Sequence, residues 1–476
     1  MIPIKNGNNF IKKKEALKLD LLNYLLDNGS VNVDDLTTLY TISKRTVKNL
    51  TLELLEEIVD IDNSLDISLN GNTLRFGEKF HSKTYLYVYK TLQLNYYENS
   101  IPFQLFILLF KSKSISIYDL SEQLVVSHSY LYKLIKDLSY QLKQFDLDLQ
   151  IDIQSYKVSF VGDEIEIRCF AYYIFSLVFN TLNSTFKPNT FRSSSIFINS
   201  KYTETTNHLI TIVENIFMSR KKQLNSLPEL KEKEASFVSL IKQACPSYAL
   251  ASLDNNESSC MLLWLTYVTP EIITSEERET IGELLWNSEL EMIPFFKTLI
   301  EVLEEEFGCS KEEQHLLMWE YYARFIVYDF FKSWKYKNIV EIKRHKNKYI
   351  NRIDTLSMAH LKDILCPLAI QQYIDELSEL TYSYLNLLIP VKIHLDLFEY
   401  SSIKILIENI LGKNYSKHTL VFIDNPDEAD LIITNVIPLK KREADIFFFS
   451  DVNSKVNWEE LGKAIQGQIL KLNWSI

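Results

Sequence analysis

Lys44, Arg45, Lys48 and Asn49 lie on one side of a stretch whose other side is Val47, Leu50 and Leu54. Apolar residues three and four apart predict a helix with that stripe turned inward, so the four polar residues share its outer face. No acid occurs from Lys44 through Leu52, which predicts three unopposed positive charges over the opening turns. Arginine and asparagine have the paired donors and acceptors that match guanine and adenine edges, while lysine suits phosphates. Ser43 stands where a hydroxyl can accept from an unpaired amide of the first turn. The chemistry implied is recognition of duplex DNA.

A second helix presents His128, Tyr130, Tyr132, Lys133 and Lys136, a face that suits either DNA or packing against a neighbouring domain. Catalytic patterns are absent: the sequence has no GxGxxG, HExxH or GxSxG, and Leu411-Gly412-Lys413 lacks the upstream glycine of a phosphate loop. With only 10 glycines in 476 residues, a phosphate cradle of glycine-rich backbone is disfavoured. The five cysteines, at 169, 245, 260, 309 and 366, form no CxxC pair and no tight spacing with histidine. Neither a disulfide framework nor a metal site follows, and a reducing compartment is expected. The reading is of a protein that is not an enzyme and needs no cofactor.

The elements that must position these residues are duplicated. SVNVDDLTTLYTISKRTVKNLTLEL from Ser30 lies without gaps over SISIYDLSEQLVVSHSYLYKLIKDL from Ser114, an offset of 84 residues. Ser30/Ser114, Asp35/Asp119, Leu36/Leu120, Ser43/Ser127, Leu50/Leu134 and Leu54/Leu138 are identical. Each copy reads as a helix-turn-helix, with Leu36 and Leu39 giving the first copy's leading helix an inner face. An apolar helix precedes each copy, around Leu17 to Leu25 and Phe103 to Phe110. A hairpin follows each: alternation over Leu65 to Leu69, the turn signal Asn70-Gly71, then Leu74 and Phe76; and Leu147 to Ile153, a turn near Ser155, then Val158 to Val161. Three helices and a hairpin make a winged helix.

The formal net charge of -11 does not argue against DNA, because DNA meets only the face presented to it. At 476 residues, 46% hydrophobic and 13% aromatic, the chain should fold throughout and divide into three to five domains. It lacks the apolar core of a signal peptide near its start, and its longest apolar stretch, Ile101 to Phe110, is too short to span a bilayer. A soluble, cytoplasmic protein is expected. From Asp163 to about Pro390 the pattern is helical, with stretches at 205–218, 257–268, 293–307, 311–331 and 368–388, a join near Glu271 to Arg278, and a polar, flexible excursion at 180–200. From Val391, VKIHLDL, HTLVFI, DLIITN and DIFFF alternate with helices. Such continuous apolar strands predict a small, mainly parallel α/β domain covered on both faces. The fold class is mainly α and multidomain.

Two winged helices (1–80 and 101–162, joined by a linker helix at 81–100), two helical bundles (163–275 and 276–390) and an α/β domain (391–476) resemble, in this order, the Mga/AtxA family of Gram-positive virulence regulators. The resemblance covers nearly the whole chain. Its most specific pieces are Ser30 to Leu54, GDEIEIRCFAYYIF at 162–175 and DLIITNVIPLK at 430–440.

The resemblance implies that the bundles are phosphotransferase-system regulation domains (PRD), that the last domain is an EIIB-like module, and that the protein activates transcription while sensing sugar transport through histidine phosphorylation. His315, in SKEEQHLLMWEYYARF with Arg324 on the same helix, would be the acceptor, the guanidinium steadying phosphoryl oxygens; the plain alternative is a partly exposed helix histidine. His208, in TTNHLITIVENIF, is the second candidate. An EIIB component commonly carries phosphate on a cysteine after its first strand. No cysteine follows Cys366, so that chemistry is excluded and an interaction or oligomerisation role is left, with His394 structural. The expected partners are double-stranded DNA, a second copy of the chain and a phosphocarrier protein, with no membrane. The rival reading is a phosphotransferase-system signalling protein that binds proteins rather than DNA. An RNA-binding antiterminator fits poorly, because that class would replace the paired winged helices with a small β-domain.

Overall fold

The computed structural model describes residues 10–77, 82–143, 147–179, 201–222, 227–245, 255–335, 361, 365–384, 389–397, 401–416, 419–435, 444–449 and 454–473. They form two compact units, residues 1–281 with 323–342, and residues 282–322 with 343–476. The excursion expected at 180–200 lies outside the described residues.

The first unit opens with α1 (Lys13–Asn28), β1 (Ser30–Asn32), α2 (Val33–Tyr40), α3 (Lys44–Ile61), β2 (Ile67–Asn70), β3 (Thr73–Phe76) and α4 (Ser82–Glu98). The same series then recurs as α5 (Ile101–Phe110), β4 (Ile115–Ser116), α6 (Ile117–Gln123), α7 (His128–Lys143), β5 (Leu149–Gln154), β6 (Lys157–Gly162) and α8 (Glu164–Val178). Both three-stranded sheets run in the same order, β1-β3-β2 and β4-β6-β5. The 84-residue offset holds down to single bonds. Val31 pairs with Leu74 and Ile115 with Val158; the Val33 amide donates to the Asn72 carbonyl at 2.8 Å, and that of Ile117 to the Tyr156 carbonyl at 2.9 Å.

Even the strained positions coincide. Thr41 and Val125, equivalent in the repeat, carry φ of 54° and 53° in the two helix-turn-helix turns, a left-handed conformation that costs a β-branched residue roughly 1–2 kcal/mol. At the wing tips Gly71 has φ 66° and its counterpart Ser155 has 49°. Glycine adopts that angle freely, whereas the second wing adopts it with side chains.

Two expectations need correction here. Leu36 is fully buried with Val33, but Leu39 is 45% exposed; a helix of only eight residues turns Val33 and Leu36 inward and Leu39 away. The helix expected as a linker, α4, instead packs on α1 and α3. The Tyr85 hydroxyl donates to Asn23 at 3.2 Å, Asn23 donates to the Tyr89 hydroxyl at 3.1 Å, and Tyr96 bonds Glu57. In the repeat α4 is the counterpart of α8.

Helix α5, capped by Ser100 with Pro102 in its first turn, buries Phe103, Phe106 and Phe110 against Phe10, Phe170 and Phe175. That aromatic cluster seats the second winged helix on α8. The unit continues with α9 (Glu204–Lys221), α10 (Glu232–Ala244), α11 (Asn255–Val268) and the start of α12 (Ser275–Trp286). Between α11 and α12 the Arg278 guanidinium donates to the carbonyls of Ile273 and Pro270. Among the described residues no helix is long and apolar enough to cross a membrane.

The second unit holds α13 (Ile293–Phe307), the first part of α14 (Lys311–Phe330), α15 (Pro367–Tyr384) and the C-terminal α/β region. Strands β7 (Val391–Asp396), β8 (Leu420–Phe422), β9 (Leu431–Thr434) and β10 (Asp445–Phe448) form one parallel sheet in the order β10-β9-β7-β8, with α16 (Ser401–Asn414) and α17 (Lys455–Asn473). Val391, Ile393 and Leu395 share a core with Ile407 and Leu411 of α16 and with Leu461 and Ile465 of α17. Continuous cover on both faces does not hold for β7, which alternates and exposes Lys392 and Asp396; β9 is buried throughout. Ile469 and Leu472 pack against this core while Leu470 is exposed.

Candidate nucleic-acid interface

Helix α3 forms as its sequence dictates. The Ser43 hydroxyl accepts from the Thr46 amide at 3.2 Å, capping the helix, and no acid occurs in its first turn. Val47, Leu50, Leu54 and Ile58 are buried on its inner side. Lys44, Arg45 and Asn49 are exposed, and Lys48 is half-buried. One element of the expectation fails: Lys44 is opposed after all. Asp34, in the first turn of α2, meets its ammonium at 2.6 Å. The acid comes from the preceding helix, where the run from Lys44 to Leu52 could not reveal it. An exposed pair of this kind is worth at most about 1 kcal/mol, so a phosphate can displace Asp34. Beside this face, Asn49 and Thr46 line an open cleft of about 480 Å³ with Lys13, Lys14 and Glu53. Lys14 pairs with Glu53 at 2.5 Å. The lysine run 12–14, at the start of α1, therefore borders this face with part of its charge paired.

Helix α7 is the equivalent in the second copy. The Ser127 hydroxyl accepts from the Tyr130 amide at 3.3 Å, matching Ser43 and Thr46. Leu131, Leu134, Ile135 and Leu138 are buried, and His128, Tyr130, Tyr132, Lys133 and Lys136 are all exposed. Three further large side chains of the second winged helix are exposed, and no local residue pattern marked them: Tyr118, Val125 and Tyr156. The repeat pointed to them, since 118 and 156 are the counterparts of Asp34 and Asn72.

The second winged helix is fixed to the following helices by buried charge. Glu164 and Arg168 lie on α8, Arg220 on α9 and Glu257 on α11. The Arg220 guanidinium grips both Glu164 oxygens, at 2.9 and 2.7 Å, and also donates to the Phe110 carbonyl at the end of α5, at 3.3 Å. Arg168, 1% exposed, donates to Glu164 at 2.8 Å and to Glu257. Glu166 accepts from the Asp148 amide at the base of the second wing, at 2.7 Å, and from Lys332 and Lys335, each at 2.9 Å. Burial pushes the Glu166 carboxyl up, but Lys332, the Asp148 amide and Lys335 outweigh it and hold the group below the usual carboxylate range. The charges in GDEIEIRCF therefore join α5 and a wing to the helices behind them.

The histidines separate. Half-buried His208 bonds the Phe179 carbonyl through Nε2, so one ring nitrogen is engaged in closing the end of α8. His315 is half-buried, 6.3 Å from the Trp286 ring. Its backbone is packed so closely on α12 that a Cβ on Gly282 would fall 1.9 Å from the His315 carbonyl oxygen. Arg324 does not face it: nine residues along one helix is about 13.5 Å and half a revolution. His394 bonds the Ile423 carbonyl through Nδ1 at 3.1 Å, as a structural histidine does. Burial raises the Cys169, Cys245, Cys260 and Cys309 thiols, Cys245 and Cys260 to about 12, which suppresses the thiolate form.

No curated protein matches the chain. Residues 87–175 match the family model of the Mga helix-turn-helix domain. The match begins inside α4 and ends inside α8, framing the second winged helix, and it supports a DNA-binding regulator. Residues 87–175 of this chain are thus similar to an Mga helix-turn-helix domain, consistent with the Mga/AtxA-like regulators that the layout resembles.

Proposed function

We propose that the protein is a dimeric transcriptional activator of virulence-type genes, with α3 entering a major groove and the second winged helix adding contacts. The observation that carries the reading is the capped, acid-free start of α3, with Lys44, Arg45 and Asn49 exposed opposite a buried apolar stripe, in a fold whose second copy matches the Mga helix-turn-helix domain. Arg45 and Asn49 read bases; Lys44 and Lys48, with Lys133 and Lys136 of the second copy, meet phosphates. Arg45→Ala should cost about 1–3 kcal/mol of discrimination at one base pair. Competition between duplexes differing at single positions measures this, and equal loss on every duplex would remove Arg45 from base reading.

In this reading 163–275 and 276–390 are PRD-like sensory bundles, and His315 accepts a phosphoryl group from a phosphocarrier protein. The added charge, roughly −1.5 to −2, would unseat the His315–Trp286 packing. Intact-mass analysis after incubation with phosphorylated carrier tests this; an adduct that persists on His315→Ala contradicts it. His208, whose Nε2 bonds the Phe179 carbonyl, is the second candidate, through Nδ1. Residues 391–476 are an EIIB-like oligomerisation domain: the strand order 2-1-3-4 supports the fold, and exposed Ile405, Leu406 and Phe448 supply apolar surface. Light scattering on a chain ending near Pro390 should show loss of dimer; dimerisation as tight as the full chain's would place the interface elsewhere.

A further inference from the structure

The two winged helices share a backbone but not a surface chemistry. Where the first has Lys44, Thr46, Lys48 and Asp34, the second has His128, Tyr130, Tyr132 and Tyr118. In the first winged helix Asp34 and Lys44 touch; Tyr118 and His128 are their counterparts in the repeat. The wing tip joins them, because the Tyr156 carbonyl accepts from the Ile117 amide at 2.9 Å. Tyr118 is 65% exposed, Tyr156 77% and Val125, in the turn before α7, 89%.

Two of these residues are held against their own preferences. Val125 and Tyr156 have φ of 53° and 60°, a region that β-branched and bulky side chains avoid. Folding gains nothing from a strained tyrosine left in water at a hairpin tip, where glycine would be relaxed. Strain combined with exposure points to a contact made outside the chain. The start of α7 has no acid in its first turn, and Lys133, Lys136 and Lys157 are exposed among the aromatics. Cations spaced between rings complement a polyanion with apolar patches: sugar edges and thymine methyls between phosphates.

We propose that the second winged helix holds duplex DNA chiefly through its tyrosines, with Tyr130 and Tyr132 against thymine methyls in the major groove and Tyr118 and Tyr156 against the sugar–phosphate backbone. The two units then divide the work. The first supplies most of the salt-dependent attraction, and the tyrosines of the second supply affinity that salt does not screen and that favours A·T pairs. This rests on the DNA-binding reading above.

The test uses the full chain and two duplexes of equal length, one A·T-rich and one G·C-rich, over a range of salt. Tyr130→Ala/Tyr132→Ala should weaken binding tenfold or more at every salt concentration, leave the slope of log affinity against log salt unchanged, and erase the preference for the A·T-rich duplex. Tyr156→Gly is the second variant. It relaxes the turn, so its melting temperature stays level or rises, yet it should bind several-fold more weakly; a merely structural tyrosine would give no loss. Unchanged affinity in both folded variants overturns the proposal, as does a loss that disappears at high salt. If the unsubstituted chain shows no salt-dependent binding to either duplex, the DNA-binding reading itself falls and this proposal with it.

Discussion

Replacing Arg220 with alanine should loosen the second winged helix from the helices behind it. Arg220 is 2% exposed and makes two charge-assisted bonds to Glu164 and one to the Phe110 carbonyl, with its guanidinium 5.6 Å from the Phe110 ring centre. Removing one member of a buried ion pair costs about 3–5 kcal/mol, because the partner charge is left buried. Arg168 still compensates Glu164, which lowers that figure, while the orphaned Phe110 carbonyl adds about 1–3 kcal/mol. A local destabilisation of about 3 kcal/mol follows, close to a hundredfold in the opening equilibrium. The chain has several domains, so one global unfolding curve is the wrong readout. Amide hydrogen exchange resolved by peptide is the right one: the slowest amides of α5 and α8 should exchange about a hundredfold faster. Arg220→Lys, which keeps the charge but loses the two-pronged grip, should fall between. Protection in Arg220→Ala within threefold of the parent chain would refute the role given to this network.

Burial pushes the Asp20 carboxyl, on α1, up to about 6. Its folded-state value lies above its ordinary 3.8, so the associated stability is complete below that value and is lost as pH rises to about 6. Asp20→Asn should abolish that dependence and raise the melting temperature of the first winged helix at neutral pH; a parallel pH profile in both proteins would contradict this. Gly282→Ala should destabilise the contact between α12 and α14 by about 1–3 kcal/mol, since the new Cβ meets backbone that cannot rotate away. Unchanged exchange of the amides around His315 would show that the helices separate freely.

Much of the N-terminal region was legible because it is written twice. An 84-residue offset over Ser30 to Leu54 located both helix-turn-helix units, and Ser43 capped its helix as its hydroxyl implied. Asn70-Gly71 marked the first wing. The offset also carried information that residue types concealed: Tyr156 gives no turn signal by itself, yet stands at a wing tip because Asn72 does. What one copy could not show was cross-element pairing. Asp34 meets Lys44 only because α2 and α3 cross, and Arg220 meets Glu164 across 56 residues. Helical periodicity found α13 over 293–307 but missed α10, whose charged opening KEKE hides an inner face of Phe237, Val238 and Ile241. Pairing His315 with Arg324 took proximity in sequence for proximity in space, which a nine-residue spacing on a helix denies. In the C-terminal sheet, the alternation of Val391, Ile393 and Leu395 with Lys392 and Asp396 was visible in VKIHLDL, and only the neighbouring apolar strands suggested full cover.

The central claim, that the outer face of α3 binds duplex DNA, is tested most directly by salt titration of binding with the unsubstituted chain and with a Lys44→Ala/Arg45→Ala/Lys48→Ala variant. Each phosphate contact contributes about 0.9 to the slope of log affinity against log salt. The account predicts steep salt dependence for the parent chain. In the variant, once hydrogen exchange shows it folded, the slope should be shallower by about 2, for the phosphate contacts of Lys44 and Lys48, and affinity at low salt at least a hundredfold weaker once the Arg45 base contact is lost as well. A folded variant with the parent's affinity and slope would contradict it.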